Sequence, residues 1–238
     1  MRLPSEGAAA LYWQAMGGTP VRILLARHGE TIYNVDGRWQ GQSDSPLTER
    51  GRAQARELAR VLVDEPIAAV YSSDLGRAAD TAAEVAAAHD LEVLADPRLR
   101  EIDTGEWTGK GRDEIDALWP GGLRGWASSP SRFLLPGGES INAAQERSLA
   151  FFAERMPEHL GQTVVVISHG AVGQTILVKA MGRGVEDLWL KERVDNCQLS
   201  RLEWTPEGGL ELIELADVRH LEKVGSLRGW RTTDRDQA

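Results

Sequence analysis

The sequence has 238 residues, of which 42% are hydrophobic and 26% charged, with a net charge of −9 at pH 7. That length supports one large domain with a sizeable core, and an acidic chain without a Lys/Arg block is not built to attract nucleic acid through its general field. No apolar run approaches the roughly 18–20 residues of a membrane span, and the single cysteine, Cys197, excludes an intrachain disulfide.

Residues 1–20 read as an N-terminal extension; they lack the basic start and continuous apolar stretch of a secretory leader. With one cysteine, the expected location is cytoplasmic. The domain proper is expected over 21–215. Val21–Leu25 is a short apolar run that ends in ARHGE, a buried-strand signal. Thr48–Leu62 reads as a helix, because Ala55, Leu58, Ala59 and Leu62 fall at i, i+3, i+4 and i+7 with Arg and Glu between them. Ile67–Tyr71 is a second buried strand, Gly76–Ala88 an alanine-rich helix and Glu92–Leu94 a brief third strand.

Residues 106–140 differ in kind. They are rich in Gly, Pro, Ser and Trp, have weak periodicity, and read as an insertion that covers the substrate. Helix returns over Asn142–Arg155. Thr163–Ser168 (TVVVIS) is the most β-branched stretch and reads as a central strand, with a helix over Val172–Met181 after it. Gln198–Trp204 and Leu210–Leu215, joined by TPEGG, read as a hairpin; residues 216–238 read as a C-terminal tail. Alternating strands and helices imply an α/β fold with a mostly parallel central sheet and helices on both faces.

In such sheets ligands bind beyond the carboxyl ends of the strands, and this rule selects residues. Arg27-His28 follows the first strand. Ser72-Ser73-Asp74 follows the second, with Arg77 at the start of the next helix. Ser168-His169-Gly170 follows TVVVIS, and Glu101 follows the third strand within RLREIDTGEW. The set suits phosphoryl transfer. Guanidinium forks neutralise a phosphate monoester, a neutral imidazole is a competent nucleophile near neutral pH, and a carboxyl group can protonate a leaving alkoxide and then deprotonate water. Helix N-termini after Arg77 and His169 are expected to add backbone N–H donors for phosphate oxygens.

The stretch LLARHGETIYN resembles the RHG signature of the histidine phosphatase superfamily, which includes cofactor-dependent phosphoglycerate mutases. The resemblance continues through RWQGQSDSPLTERGRAQA, YSSDLGRAADTA, LREIDTGEWTG and VVISHGAVGQTIL. One RHG alone is a weak signal; five ordered blocks at strand exits are strong. The resemblance implies a phosphoglycerate mutase-like fold and a set of roles. His28 is the phosphorylated nucleophile, and Arg27, Arg77 and His169 hold the phosphoryl oxygens. Glu101 donates the proton to the leaving group. Thr31 and Asn34 complete the phosphate pocket, Gln40 contacts the rest of the substrate, and Gly170 offers a backbone N–H. No metal and no cofactor are implied.

LREIDTGEW and PGGES at 136–140 resemble the phosphatase branch, which includes α-ribazole phosphatase and glucosyl-3-phosphoglycerate phosphatase. The expected function is hydrolysis of a small soluble phosphate monoester, a sugar or sugar-acid phosphate being the lean, through a phosphohistidine. The alternative is a cofactor-dependent phosphoglycerate mutase, an isomerase that needs a bisphosphorylated primer. A third reading, a member that only binds phosphorylated ligands, requires a broken catalytic set, and all five core positions are intact. Glu106, Asp103 and Glu139 stand near Glu101 as other candidate acids. Gln40 and Trp39 read equally as loop packing, the eight tryptophans as core or rim packing rather than a sugar platform, and His89, His159 and His220 as surface residues. A homodimer is compatible with the sequence, which carries no signal for or against it.

Overall fold

The computed structural model describes residues 18–188 and 194–225. Its centre is a six-stranded sheet in the order β3-β2-β4-β1-β5-β6, made of β1 (Val21–Arg27), β2 (Ile67–Ser72), β3 (Val93–Ala95), β4 (Thr163–Ser168), β5 (Leu199–Thr205) and β6 (Gly209–Asp217). The first four strands run parallel to one another, and the β5–β6 hairpin adds to β1 antiparallel. The mostly parallel sheet read from the sequence is therefore the observed one. Seven α-helices lie among the described residues: α1 (Ile32–Val35), α2 (Glu49–Leu62), α3 (Gly76–Ala87), α4 (Arg112–Leu118), α5 (Gly122–Ser128), α6 (Ile141–Arg155) and α7 (Gly170–Ala180).

The period-two alternation of the central strands sorts their side chains between two cores. On β1 and β4, Ile23, Leu25, Val164 and Val166 enter one core with Phe151 of α6 and Val172 and Ile176 of α7. Leu24, Ala26, Val165 and Ile167 enter the other, against Leu58 and Leu62 of α2 and Ala78, Ala82 and Val85 of α3. Helices thus cover both faces, and β4, with all six residues buried, is the central strand its composition predicts.

Three segments depart from the sequence reading. Weak periodicity concealed α4 and α5, each only seven residues long. At two turns each, they draw their stability from packing rather than propensity. Trp107, Ile115, Leu123, Trp126 and Leu135 of this region join the first core, and Trp39 meets Trp107 and Trp126 edge-on at 5.0 and 6.1 Å between ring centroids. The residues after β6 also pack, since Leu221 is buried in the second core and the Gly225 carbonyl accepts from Gln54 Nε2. His220 is a buried residue rather than a surface one, with its ring bonded to the Cys197 carbonyl at 2.9 Å. Most of the N-terminal extension and residues 226–238 lie outside the described residues.

Candidate active site

Strand register brings the two histidines together. Arg27 pairs with Ser168 across the parallel β1–β4 ladder, so the next residue of each strand, His28 and His169, emerges beside the other. The His28 N–H donates to the Ser168 carbonyl at 3.0 Å, and the two rings lie 5.2 Å apart between centroids. Arg77 enters from the first turn of α3, just after β2. Gly29 must be glycine for the loop to pass, because a Cβ there would lie 2.5 Å from the Gly51 carbonyl oxygen in the first turn of α2.

Two partners select one tautomer for His28. Nδ1 lies 2.7 Å from the Gly29 carbonyl, which can only accept, so Nδ1 carries the proton. Nε2 lies 3.3 Å from Nε of Arg77, which can only donate, so Nε2 holds the lone pair. Burial, and after it the Arg77 and Arg27 guanidinium charges, holds the His28 pKa well below the ordinary histidine value. His169 is held low in the same way, by burial first and then by Arg77, His28 and Arg27. Both rings are buried, at 2% and 0% exposure, and neutral at pH 7. Neither His169 nitrogen has a hydrogen-bond partner among the described residues.

Arg77, 1% exposed, donates to the carbonyls of Ser43 and Gly41 at 2.7 Å each. Burial pushes its pKa down to about 10, still cationic at neutral pH. Arg27 donates through Nη1 to the Val194 carbonyl at 2.7 Å. Gly170 separates Arg27 from Glu101; a Cβ on it would lie 3.5 Å from the Arg27 guanidinium carbon and 3.6 Å from Glu101 Oε2. Arg27, His28, Arg77, Glu101, His169 and Gly170 thus converge at one end of the sheet.

The helix N-termini are used differently from the expectation. The Ala171 and Val172 N–H groups at the start of α7 donate to the Glu101 carboxylate, both at 3.1 Å, and Ile102 N–H adds a third bond at 2.9 Å. The Gly76 and Arg77 N–H groups of α3 are taken by Asp44, at 2.8 and 3.4 Å. A carboxylate at a helix N-terminus satisfies donors that the helix itself cannot, so protein side chains hold these positions. Of the other carboxylates near Glu101, Glu139 forms a fork with Arg147 at 2.8 and 2.9 Å. Asp103 Oδ1 accepts from the Gly105 N–H, and Glu106 is exposed.

Thr31 and Asn34 form a reciprocal capping box at the start of α1, and Thr31 Oγ1 donates to Gln40 Oε1 at 3.1 Å. The three residues therefore form one polar rim. Sequence reading missed Asn196, whose Nδ2 donates to the His28 carbonyl at 2.9 Å and to Asn34 Oδ1 at 3.2 Å. It stands next to Cys197, which adopts a left-handed φ of 53° with its N–H on the Arg27 carbonyl at 3.0 Å. VDNCQ matches no block of the resemblance, so no sequence signal marked it. Among the described residues, no group of three or more His, Cys, Asp or Glu is arranged to hold a metal ion.

Residues 23–217 match the histidine phosphatase superfamily (branch 1), and the chain belongs to that family. It is 37% identical over 169 residues to phosphoserine phosphatase 1 of Hydrogenobacter thermophilus, covering 71% of this chain and 80% of that protein. It is 33% identical over 208 residues to the probable phosphoglycerate mutase GpmB of Enterobacter sp., covering 85% and 95% of the two. The mycobacterial glucosyl-3-phosphoglycerate phosphatase Rv2419c, in its complex with VO3, superposes with a TM-score of 0.73 at 32% identity, covering 83% of this chain and 98% of that one.

Proposed function

We propose that the protein is a phosphomonoesterase that transfers the phosphoryl group of a small soluble phosphate ester to His28 and then to water. The observation that carries this reading is the pinned imidazole: a buried, neutral ring whose Nδ1–H is spent on the Gly29 carbonyl, leaving the Nε2 lone pair beside Arg77. Nε2 attacks phosphorus and the ester P–O bond breaks. Arg27, Arg77 and His169 take the developing charge on the transferring oxygens. The burial of Arg77 and His169 makes them effective, because fixed donors in a low-dielectric surrounding need no reorganisation. The orphaned His169 nitrogens suit that duty, since a neutral imidazole supplies one N–H donor.

Glu101 protonates the departing alkoxide and then, as carboxylate, takes a proton from the water that attacks phosphohistidine. Its oxygens lie across Gly170 from the Arg27 guanidinium. Thr31, Asn34 and Gln40 form the substrate rim, and 106–140 supplies the wall that selects the remainder of the ester. Relatives named as phosphatases of a phosphoserine and a glucosyl-phosphoglycerate support a small anionic metabolite as substrate. The single, buried Cys197 supports a cytoplasmic location, and no helix among the described residues is long and apolar enough to cross a membrane.

The test is phosphate release from a panel of phosphorylated metabolites without primer. Wild type should turn over at least one ester, His28→Ala should lose nearly all of that activity while keeping its circular dichroism, and quenched wild type should carry acid-labile, base-stable label. Substantial turnover by folded His28→Ala would refute the mechanism. Isomerisation of phosphoglycerate that appears only with a bisphosphorylated primer would make the protein a mutase. Because guanidinium groups neutralise the phosphoryl charge, exhaustive chelation should leave the rate unchanged; a loss restored by Mg²⁺ or Zn²⁺ would contradict that assignment.

A further inference from the structure

We propose that Arg147 of α6 is the positioning residue for the acid Glu101, a role that rests on the acid assignment above. Arg147 spends all five of its N–H groups. Nε and Nη2 hold the two Glu139 oxygens at 2.8 and 2.9 Å. Nη1 donates to the carbonyls of Arg98 and Arg100, both at 2.7 Å, and Nη2 donates to the carbonyl of Glu101 itself at 3.1 Å. Residues 100–104 form no helix or strand, so no ladder of their own fixes the Glu101 backbone. Arg147 supplies most of that fixation from the neighbouring helix, and Gln42 Nε2 adds a longer bond to the Glu101 carbonyl at 3.3 Å.

Glu139 completes the device. Besides its fork with Arg147, its Oε2 accepts from the Asp103 N–H at 3.3 Å, and its own N–H donates to the Asp103 carbonyl at 2.8 Å. The Arg147–Glu139 pair therefore clasps both sides of Glu101: the carbonyls of 98, 100 and 101 on one side, the backbone of 103 on the other. The carboxylate end is held separately, by the N–H groups of Ile102, Ala171 and Val172. With every Arg147 N–H committed, none is left to bind substrate, so its hydrogen bonds act on the reaction through Glu101; Arg147→Lys keeps the positive charge that Arg147 places near His169. Lysine cannot replace it, because an ammonium lacks the planar fork that reaches a carboxylate and three carbonyls together.

The distinguishing readout is leaving-group dependence. An alkoxide needs the acid's proton and a nitrophenolate does not, so a displaced acid slows alkyl phosphates selectively. Single-turnover phosphoryl transfer should be measured for an alkyl and an aryl phosphate in wild type, Glu101→Gln, Arg147→Lys, Glu139→Gln and the Glu101→Gln/Arg147→Lys double variant. Glu101→Gln should lose about 10²- to 10⁴-fold with the alkyl ester and less with the aryl ester. Arg147→Lys should lose about 10- to 100-fold with the alkyl ester, the scale of a small misplacement of a catalytic group, with KM little changed. In the double variant the Lys substitution should add little, because its target is gone.

Equal alkyl and aryl losses in Arg147→Lys, no loss in it, or additivity in the double variant would overturn the positioning role. Should Arg147→Lys fail to fold, the milder Glu139→Gln reads the same ratio and decides in the same way. Absence of alkyl selectivity in Glu101→Gln would remove the acid assignment, and the role of Arg147 with it; selectivity in Glu101→Gln but in neither Arg147→Lys nor Glu139→Gln would remove the role of Arg147 alone.

Discussion

Two imidazoles beside two guanidinium groups are held neutral by burial and by the guanidinium positive charge, which opposes their protonation. A nucleophilic histidine must be unprotonated to attack, and desolvation is the larger of the two causes. Both rings should therefore remain neutral at pH 6.5, where an ordinary histidine is half protonated. Nitrogen-detected NMR of ring-labelled protein, with assignments from single histidine variants, reads this directly. Midpoints at or above 6.5 for His28 or His169 would show that burial and the neighbouring arginines do not hold these rings neutral. The same spectra report the tautomer, and His28 should carry its proton on Nδ1, facing the Gly29 carbonyl. The Arg77 side chain completes the pin, and its own carbonyl partners at Gly41 and Ser43 tie the rim loop to the nucleophile.

Among the elements, the contact between the nucleophile loop and α2 decides the sign of a substitution. Gly51 occupies the first turn of α2, capped by Thr48 Oγ1. Helix propensity by itself favours Gly→Ala by about 1 kcal/mol. A Cβ on Gly51, however, would lie 2.0 Å from the Glu30 carbonyl oxygen. That oxygen also accepts the Thr48 N–H at 2.9 Å, and Glu30 itself is anchored to Thr48 and Arg50, so it has little room to withdraw. Gly51→Ala should destabilise the protein by about 1–3 kcal/mol, the usual cost of overpacking. Because it pushes on the residue two after His28, it should also lower kcat. Urea unfolding with a stabilised or unchanged midpoint would show that the loop yields easily. The α2 helix is legible in the sequence from its apolar stripe; this contact is not, because it joins residues that are neighbours only after folding.

For the whole molecule, the buried histidines couple folding to pH. Their folded pKa values lie below the ordinary histidine value near 6.5, so below that pH the unfolded chain binds more protons than the folded one. Their contribution is complete above about 6.5 and is lost as the pH falls from there toward the lowered folded values. Asp74, Asp96 and Asp217 are shifted in the same direction, but from a lower starting point, so their loss comes at more acid pH. Unfolding free energy should therefore drop between pH 7 and pH 5, and the drop should shrink in His169→Gln, which cannot titrate. A flat profile over that window would mean that the buried rings pick up protons without cost.

The family, the order of the strands and of the longer helices, and the residues at the strand ends were legible in one dimension; the short helices α1, α4 and α5 were not. Periodicity reports which face is buried, and the rule that ligands meet parallel sheets at their carboxyl ends converts strand ends into site residues. The strand register that sets His28 beside His169, the carbonyl that selects the His28 tautomer, and the Arg147–Glu139 clasp around Glu101 were not. The register joins atoms 140 residues apart and the hold of Arg147 on the Glu101 carbonyl joins atoms 46 apart; the Gly29 carbonyl and Glu139 are nearer in sequence, but it is the folded backbone that turns them onto the His28 ring and the Arg147 fork. Only packing brings such atoms within hydrogen-bond reach. The sequence by itself determined which groups are present to do the chemistry; the tertiary structure decided their protonation, orientation and partners, because burial and hydrogen-bond geometry are properties of the folded chain alone.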